Sequence, residues 1–157
     1  MVAMAFSTYS RELFEYAVAL SRAADADLVV ASVINSRDVE AVTKIVELGY
    51  EVNGDHYVQG VCRERRELLT RYVEQTEFPS ERIHPVFRVG NPVDELLRII
   101  IEENVDMVVM GVRGLSHIEH AFVGSVAEKV FRRSPVTVVS YRNRSHAEKL
   151  RRKIHLK

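Results

Sequence analysis

Three glycines and a serine near the C-terminal end of the sequence have the types and spacing of a phosphate-binding site. Gly111 and Gly114 are separated by two residues, and the pair Gly124-Ser125 follows after a spacer of nine residues. Glycine lets the backbone approach an anion closely, and a helix N-terminus offers unpaired N–H groups with a partial positive charge. The pattern therefore predicts a phosphate-binding loop, with ordinary loop architecture as the alternative.

The residues around these glycines have the pattern of a strand before the loop and a helix after it. The apolar run of residues 106–110 ends at Gly111, and a helical spacing of apolar residues begins at Ser125. Ser125 and Glu128 form the S-x-x-E pattern of a capping box, which suits a purely structural helix start as well as one that faces a ligand. Arg113 lies inside the loop, where it either pairs with a phosphate or is solvated.

The sequence predicts no catalytic centre. His117 and His120 lie close together between the glycines, but two ligands do not define a metal site, and solvated loop histidines are favoured. The Walker sequence G-x-x-x-x-G-K-[ST] does not occur in the sequence, which excludes a P-loop ATPase by pattern. The run Arg63-Glu64-Arg65-Arg66-Glu67 is interpreted as the solvated face of a helix.

Strand-like and helix-like patterns alternate along the sequence, which predicts an α/β fold with a parallel sheet covered by helices on both faces. The predicted strands are residues 2–6, 28–34, 83–89, 107–110 and 136–140. The predicted helices are residues 9–24, residues 57–76, a segment opened by Asn91 as N-cap and Pro92 at the first helical position, and residues 125–133.

Helical spacing also assigns inward faces to two of these helices. In the helix of residues 57–76 the inward residues are Val61, Leu68, Leu69, Tyr72 and Val73. In the helix after Asn91 they are Val93, Leu96, Leu97, Ile100 and Ile101.

Two segments stand outside the regular alternation. Residues 36–55 are long for a connection between a strand and a helix, and they are interpreted as a small helix with Gly49 at its C-terminal stop. This insertion is interpreted as a lid, a dimer contact or a segment without a function of its own.

Residues 142–157 form a basic tail with seven basic residues and one acidic residue. Its helical face would be Ala147, Leu150 and Ile154, with a solvated extension or a docking segment as alternatives.

The bulk properties bound the function classes. A length of 157 residues and 46% apolar residues suit one globular domain. Apolar runs stay short of the roughly 18 residues that span a bilayer, so no membrane role is expected. Cys62 is the only cysteine, which excludes an internal disulfide and favours the cytoplasm. Nucleic acid is an unlikely partner, because aromatic residues do not interleave with the basic tail.

The glycine pattern, its place between the fourth strand and the last helix, and the chain length resemble the universal stress protein family. The resemblance covers residues 1 to about 141, which would form the domain, with the tail following. The stretches that carry it are Phe6-Ser7-Thr8-Tyr9-Ser10, Ser32-Val33-Ile34-Asn35, Val89-Gly90-Asn91-Pro92, residues 106–111 and residues 134–139. It implies a five-stranded parallel sheet in the order 3-2-1-4-5, with a ligand crevice where the winding reverses between strands 1 and 4.

The resemblance implies ATP as the ligand, with or without Mg²⁺, in a cytoplasmic regulatory module of the stress response. The backbone of Val33 would meet the adenine edge. The implied nucleotide-contacting residues are Ala5, Ser7, Val33, Gly111, Arg113, Gly114, Gly124, Ser125 and Val126. The family also pairs through its last strand, which implies a homodimer through Val136–Val139 and contacts with a protein partner that the sequence does not identify.

One position departs from the family pattern. Nucleotide-binding members usually carry an aspartate at the end of the first strand, and this sequence has Ala5 there. Alanine cannot accept the hydrogen bonds that a carboxylate would take from the nucleotide. A dimeric interaction module of the same fold with an empty site is therefore the alternative function, and a weak ATPase is the third.

Overall fold

The computed structural model describes residues 1–47, 54–112, 125–152 and 154. Five parallel strands form one sheet in the order β3-β2-β1-β4-β5, which confirms the predicted fold class and strand order. The strands are β1 (Val2–Ala3), β2 (Leu28–Asn35), β3 (Ile83–Gly90), β4 (Met107–Gly111) and β5 (Thr137–Tyr141). The described helices are α1 (Ser10–Ala23), α2 (Ser36–Glu47), α3 (Gly54–Glu74), α4 (Pro92–Glu102), α5 (Ser125–Arg133) and α6 (Arg144–Arg151).

The central strand β1 is shorter than the predicted strand of residues 2–6. Val2 pairs with Val30 of β2 on one side and with Val109 of β4 on the other. The Met4 N–H still donates to the Ala31 carbonyl at 2.8 Å. Phe6 has a φ of 51°, in the left-handed region, and this turn takes the chain out of the sheet towards α1.

Apolar side chains cover the two faces of the sheet in separate layers. One layer packs α1 and α3 against the sheet through residues such as Phe14, Val18 and Leu69. The other packs α4 and α5 against the opposite face through Leu96, Ile100 and Val130, among others. Strand β2 lies between the layers and is buried on both sides, as its continuous apolar run requires.

Helix α4 begins where the sequence predicts. The Asn91 side chain accepts hydrogen bonds from the N–H groups of Val93 at 3.0 Å and Asp94 at 3.4 Å, which confirms the N-cap. The predicted inward face was wrong at one position: Ile101 is 65% exposed, whereas Ile99 is 0% exposed. Ile99 is buried in the apolar layer that α4 forms with α5 and the sheet. Periodicity alone does not rank three consecutive isoleucines.

The insertion contains a helix, as the sequence predicts. Helix α2 begins directly after β2 and packs against α3. The Arg37 N–H donates to the Asn35 side chain at 3.1 Å, which fixes the turn from strand to helix. The predicted helix stop at Gly49 lies outside the described residues. Whether the insertion acts as a lid stays a prediction.

The basic tail also forms a helix. The Asn143 side chain caps α6 by accepting from the His146 N–H at 2.9 Å. The predicted apolar face was wrong at Ile154, which is 64% exposed, because α6 ends at Arg151. Among the described residues of the tail, His146 is buried, at 9% exposure. Within the described ranges, no helix has the length and apolarity that crossing a bilayer requires.

Candidate functional site

A cavity of about 520 Å³ lies at the carboxyl ends of the central strands, where the winding reverses between β1 and β4. Open α/β sheets bind ligands in this crevice. Adjacent strands are about 4.8 Å apart, so β4 and β2, on either side of β1, are separated by roughly 10 Å. The distance between β2 and β4 and the volume of the cavity suit an elongated small-molecule ligand.

The structure brings six of the sequence-predicted site residues together on this cavity. The lining includes Ala5, Ser7, Val33, Gly111, Ser125 and Val126. The remaining three, Arg113, Gly114 and Gly124, lie outside the described residues, as do His117 and His120. That these residues contact a nucleotide stays a prediction.

A strained turn carries the first two of them. Phe6, between Ala5 and Ser7, has the positive φ noted above, a conformation that costs about 1–3 kcal/mol for a residue of this kind. Its ring stacks on Tyr72 of α3, with ring centroids 6.5 Å apart, and on Phe87 of β3 at 6.4 Å. This stacking holds the turn in place, so that both neighbours of Phe6 line the cavity.

A hydrogen-bonded network joins three elements at the β2 side of the cavity. The hydroxyl of Ser32, which is 0% exposed, donates to the Met4 carbonyl at 2.8 Å. Nη1 of Arg65, on α3, donates to the Ser32 hydroxyl at 2.8 Å and to the Val33 carbonyl at 3.2 Å. The guanidinium is half-buried, and burial lowers the pKa of Arg65.

Arg65 is a cavity residue that the sequence interpretation missed. The run of residues 63–67 was interpreted as a solvated face, and its other members are indeed exposed. Arg65 instead lines the cavity. The signal was present in the spacing, because Val61, Arg65 and Leu69 are four residues apart and share one face of α3. A charged residue on an inward face is a reason to look for a polar site.

The electrostatics of the β2 side are dominated by this guanidinium. Across the described ranges, no carboxylate lies within 4.0 Å of Arg65, whose hydrogen-bond partners are neutral oxygens. Asp38, in the first turn of α2, also lines the cavity and supports the charged form of Arg65 from a longer distance. The insertion and α3 therefore contribute one acidic and one basic residue to the same wall.

The tail contributes a further part of the lining that the sequence did not predict. Asn143, Ser145 and His146, at the start of α6, line the cavity together with Tyr141 at the end of β5. The Tyr141 hydroxyl donates to Glu12 of α1 at 3.4 Å, and burial raises the pKa of Tyr141. The first residues of the tail are thus folded against the cavity. No cluster of three or more potential metal ligands occurs in the part of the chain that the structure describes.

Comparisons of the sequence with known proteins agree on one family. The model of the universal stress protein family matches residues 1–142. A universal stress protein of Methanothermobacter thermautotrophicus is 29% identical over 134 residues, which cover 83% of this chain and 86% of that protein.

Solved structures share the fold. The universal stress protein UspA from Lactobacillus plantarum superimposes with a TM-score of 0.65 at 17% identity, covering 90% of this chain and 96% of that one. The crystal structure of a universal stress protein in complex with cAMP has a TM-score of 0.57 at 27% identity, covering 90% of this chain and 94% of its own.

Proposed function

Because the chain belongs to the universal stress protein family, we propose that it is a nucleotide-binding regulatory module of the stress response. The observation that carries this proposal is the convergence of Ala5, Ser7, Val33, Gly111, Ser125 and Val126 on one cavity at the switch point of the sheet. The similar structure that contains cAMP supports a nucleotide as the class of ligand.

The proposed nucleotide would bind in one orientation. Ser125 begins α5, so the unpaired N–H groups of that helix lie at the β4 side and suit phosphate groups. The base then lies at the β2 side, near the backbone of Val33. ATP is the nucleotide that the family resemblance implies, with or without Mg²⁺. The ligand would act by changing the contacts of α2 or α6, both of which reach the cavity, and hence the contacts with a protein partner.

Titration calorimetry with ATP, in the presence and absence of Mg²⁺, tests this function. Binding at micromolar to millimolar ATP, lost when Gly114→Val obstructs the glycine loop, supports it. The conservative control is Gly60→Ala, because a Cβ at Gly60 of α3 meets nothing within 4 Å. Absence of binding at millimolar ATP contradicts ATP as the ligand, and absence of binding of any purine nucleotide contradicts a nucleotide function for the cavity.

A dimeric interaction module with an empty site is the second candidate function. Two observations favour it: the side chain of Ala5 has no acceptor, and the Val33 carbonyl already accepts one hydrogen bond, from Arg65. If the melting temperature does not change with ATP in either the natural chain or the Gly114→Val variant, this candidate is preferred. We expect hydrolysis of ATP to be slow or absent.

We also propose a homodimer in the cytoplasm. Strand β5 lies at the edge of the sheet and pairs only with β4 within the described sheet. An unpaired strand edge is a template for a second copy, and the resemblance implies pairing through Val136–Val139.

A further inference from the structure

The base side of the cavity has a cation where an adenine base would need an acceptor. We propose that Arg65 sets the base preference of the site, favouring purine nucleotides with an oxygen at position 6, such as inosine and guanosine nucleotides, over adenine nucleotides. This inference rests on the proposed function, because it assumes that the cavity holds a purine nucleotide with its base near Val33.

Arg65 has more hydrogen-bond donors than its contacts with the described residues use. A guanidinium carries five N–H donors and no acceptor. Its hydrogen bonds to the described residues use Nη1 only, towards Ser32 and Val33. Nη2 and Nε therefore remain to donate to a ligand at the cavity wall. The two bonds through Nη1 hold the side chain in place, so these donors are oriented before a ligand arrives.

An adenine base would need a hydrogen-bond acceptor at this wall of the cavity. The amino group at position 6 of adenine needs an acceptor such as the Val33 carbonyl, and that carbonyl accepts from Arg65 at 3.2 Å. A carbonyl oxygen can accept two hydrogen bonds, so an adenine amino group at Val33 would share the carbonyl with Arg65 and bring its own N–H groups close to the N–H groups of the guanidinium. Donors that face donors, with no acceptor between them, weaken the binding of adenine.

A purine base with an oxygen at position 6 suits the guanidinium better than adenine does. An oxygen at position 6, with the ring nitrogen N7 beside it, offers two acceptors to one guanidinium, which is the pattern by which arginine recognises guanine in DNA. A ligand oxygen would also stabilise the Arg65 guanidinium, because across the described ranges no carboxylate lies within 4.0 Å of it. Charge-assisted hydrogen bonds are about twice as strong as neutral ones.

The experiment compares ATP with ITP, which has the same sugar and phosphates and carries an oxygen in place of the amino group. GTP serves as a third ligand. Dissociation constants are measured by calorimetry for the natural chain, Arg65→Met, Arg65→Lys and the control Arg63→Met. Arg63 is exposed on the same helix and does not line the cavity. Melting temperatures identify the variants that are folded.

We expect the natural chain and Arg63→Met to bind ITP and GTP at least tenfold more tightly than ATP. Arg65→Met removes the donors while the Ser32 hydroxyl keeps its bond to Met4, so the preference should disappear and ATP should bind more tightly. Arg65→Lys keeps the positive charge but lacks the planar guanidinium, so it should reduce the preference for ITP and GTP over ATP. This variant tests the inference if Arg65→Met does not fold.

Three results would overturn the inference. If the natural chain binds ATP as tightly as ITP, Arg65 does not select the base, and the nucleotide function itself stands. If Arg65→Met weakens ATP and ITP equally, the guanidinium contacts phosphate rather than the base. If none of the three nucleotides binds at millimolar concentration, the proposed function fails together with the inference.

Discussion

Ser32 connects β1, β2 and α3 through a single hydroxyl. Its Oγ donates to the Met4 carbonyl and accepts from Arg65, both at 2.8 Å, in a fully buried position. We expect Ser32→Ala to lower the free energy of unfolding by about 1–3 kcal/mol, because the Met4 carbonyl loses a buried hydrogen bond and Arg65 loses a partly buried one. Urea denaturation measures the effect. Ser80→Ala, at an exposed serine, is the matched control and should stay within about 0.5 kcal/mol of the natural chain.

Ala5 occupies the position where the family resemblance implies an aspartate. We expect Ala5→Asp to tighten ATP binding about ten- to a hundredfold, since a charge-assisted hydrogen bond contributes about 1.5–3 kcal/mol. Calorimetry measures the change. Thr8→Asp adds the same charge at an exposed residue outside the cavity lining and should leave the affinity nearly unchanged. Equal effects of the two substitutions would mean that Ala5 does not face the ligand.

Helix α4 allows a direct test of which isoleucine supports the core. We expect Ile99→Ala to destabilise the fold by about 2–5 kcal/mol, because it leaves a cavity at a residue with 0% exposure. Ile101→Ala, two residues further along, should cost less than about 0.5 kcal/mol, because that side chain is 65% exposed. Thermal or urea denaturation compares the two. Similar losses would contradict the observed rotation of the helix.

The elements themselves could largely be predicted from local patterns, whereas their rotation could not. Asn91 and Pro92 mark the start of α4 by their own chemistry, so that boundary was predicted correctly. The rotation of a helix depends on its neighbours. Ile99 is buried in the layer that α4 forms with α5 and the sheet, and a hydrogen bond from α3 to β2 joins Arg65 to the Val33 carbonyl. Neither contact is encoded in a short window of sequence.

At the scale of the whole molecule, the resemblance supplied the strand order and the location of the crevice. Six predicted residues from separate parts of the chain line one cavity. The start of α6 was not anticipated there, because the basic composition of the tail is typical of solvated termini. Its position depends on a short connection after β5 and on the Asn143 cap, which become informative only once the sheet is known.

The edge of the sheet carries the prediction for assembly. If two copies pair through β5, Ser140→Lys should place two lysines near each other at the interface and shift the chain towards the monomer. Light scattering coupled to size-exclusion chromatography measures the mass. His84→Lys makes the same change at an exposed residue of β3, the opposite edge, and should leave the mass unchanged. A monomeric natural chain would contradict the proposed dimer.

Strand β5 and the start of α6 are separated by only two residues, and both Tyr141 and His146 border the cavity. A protein seated on the outer edge of β5 and a small molecule inside the crevice would therefore touch the same continuous ten-residue stretch, residues 137–146. Thermodynamic linkage then works in both directions: if the small molecule tightens association of the protein by some factor, the protein tightens binding of the small molecule by the same factor.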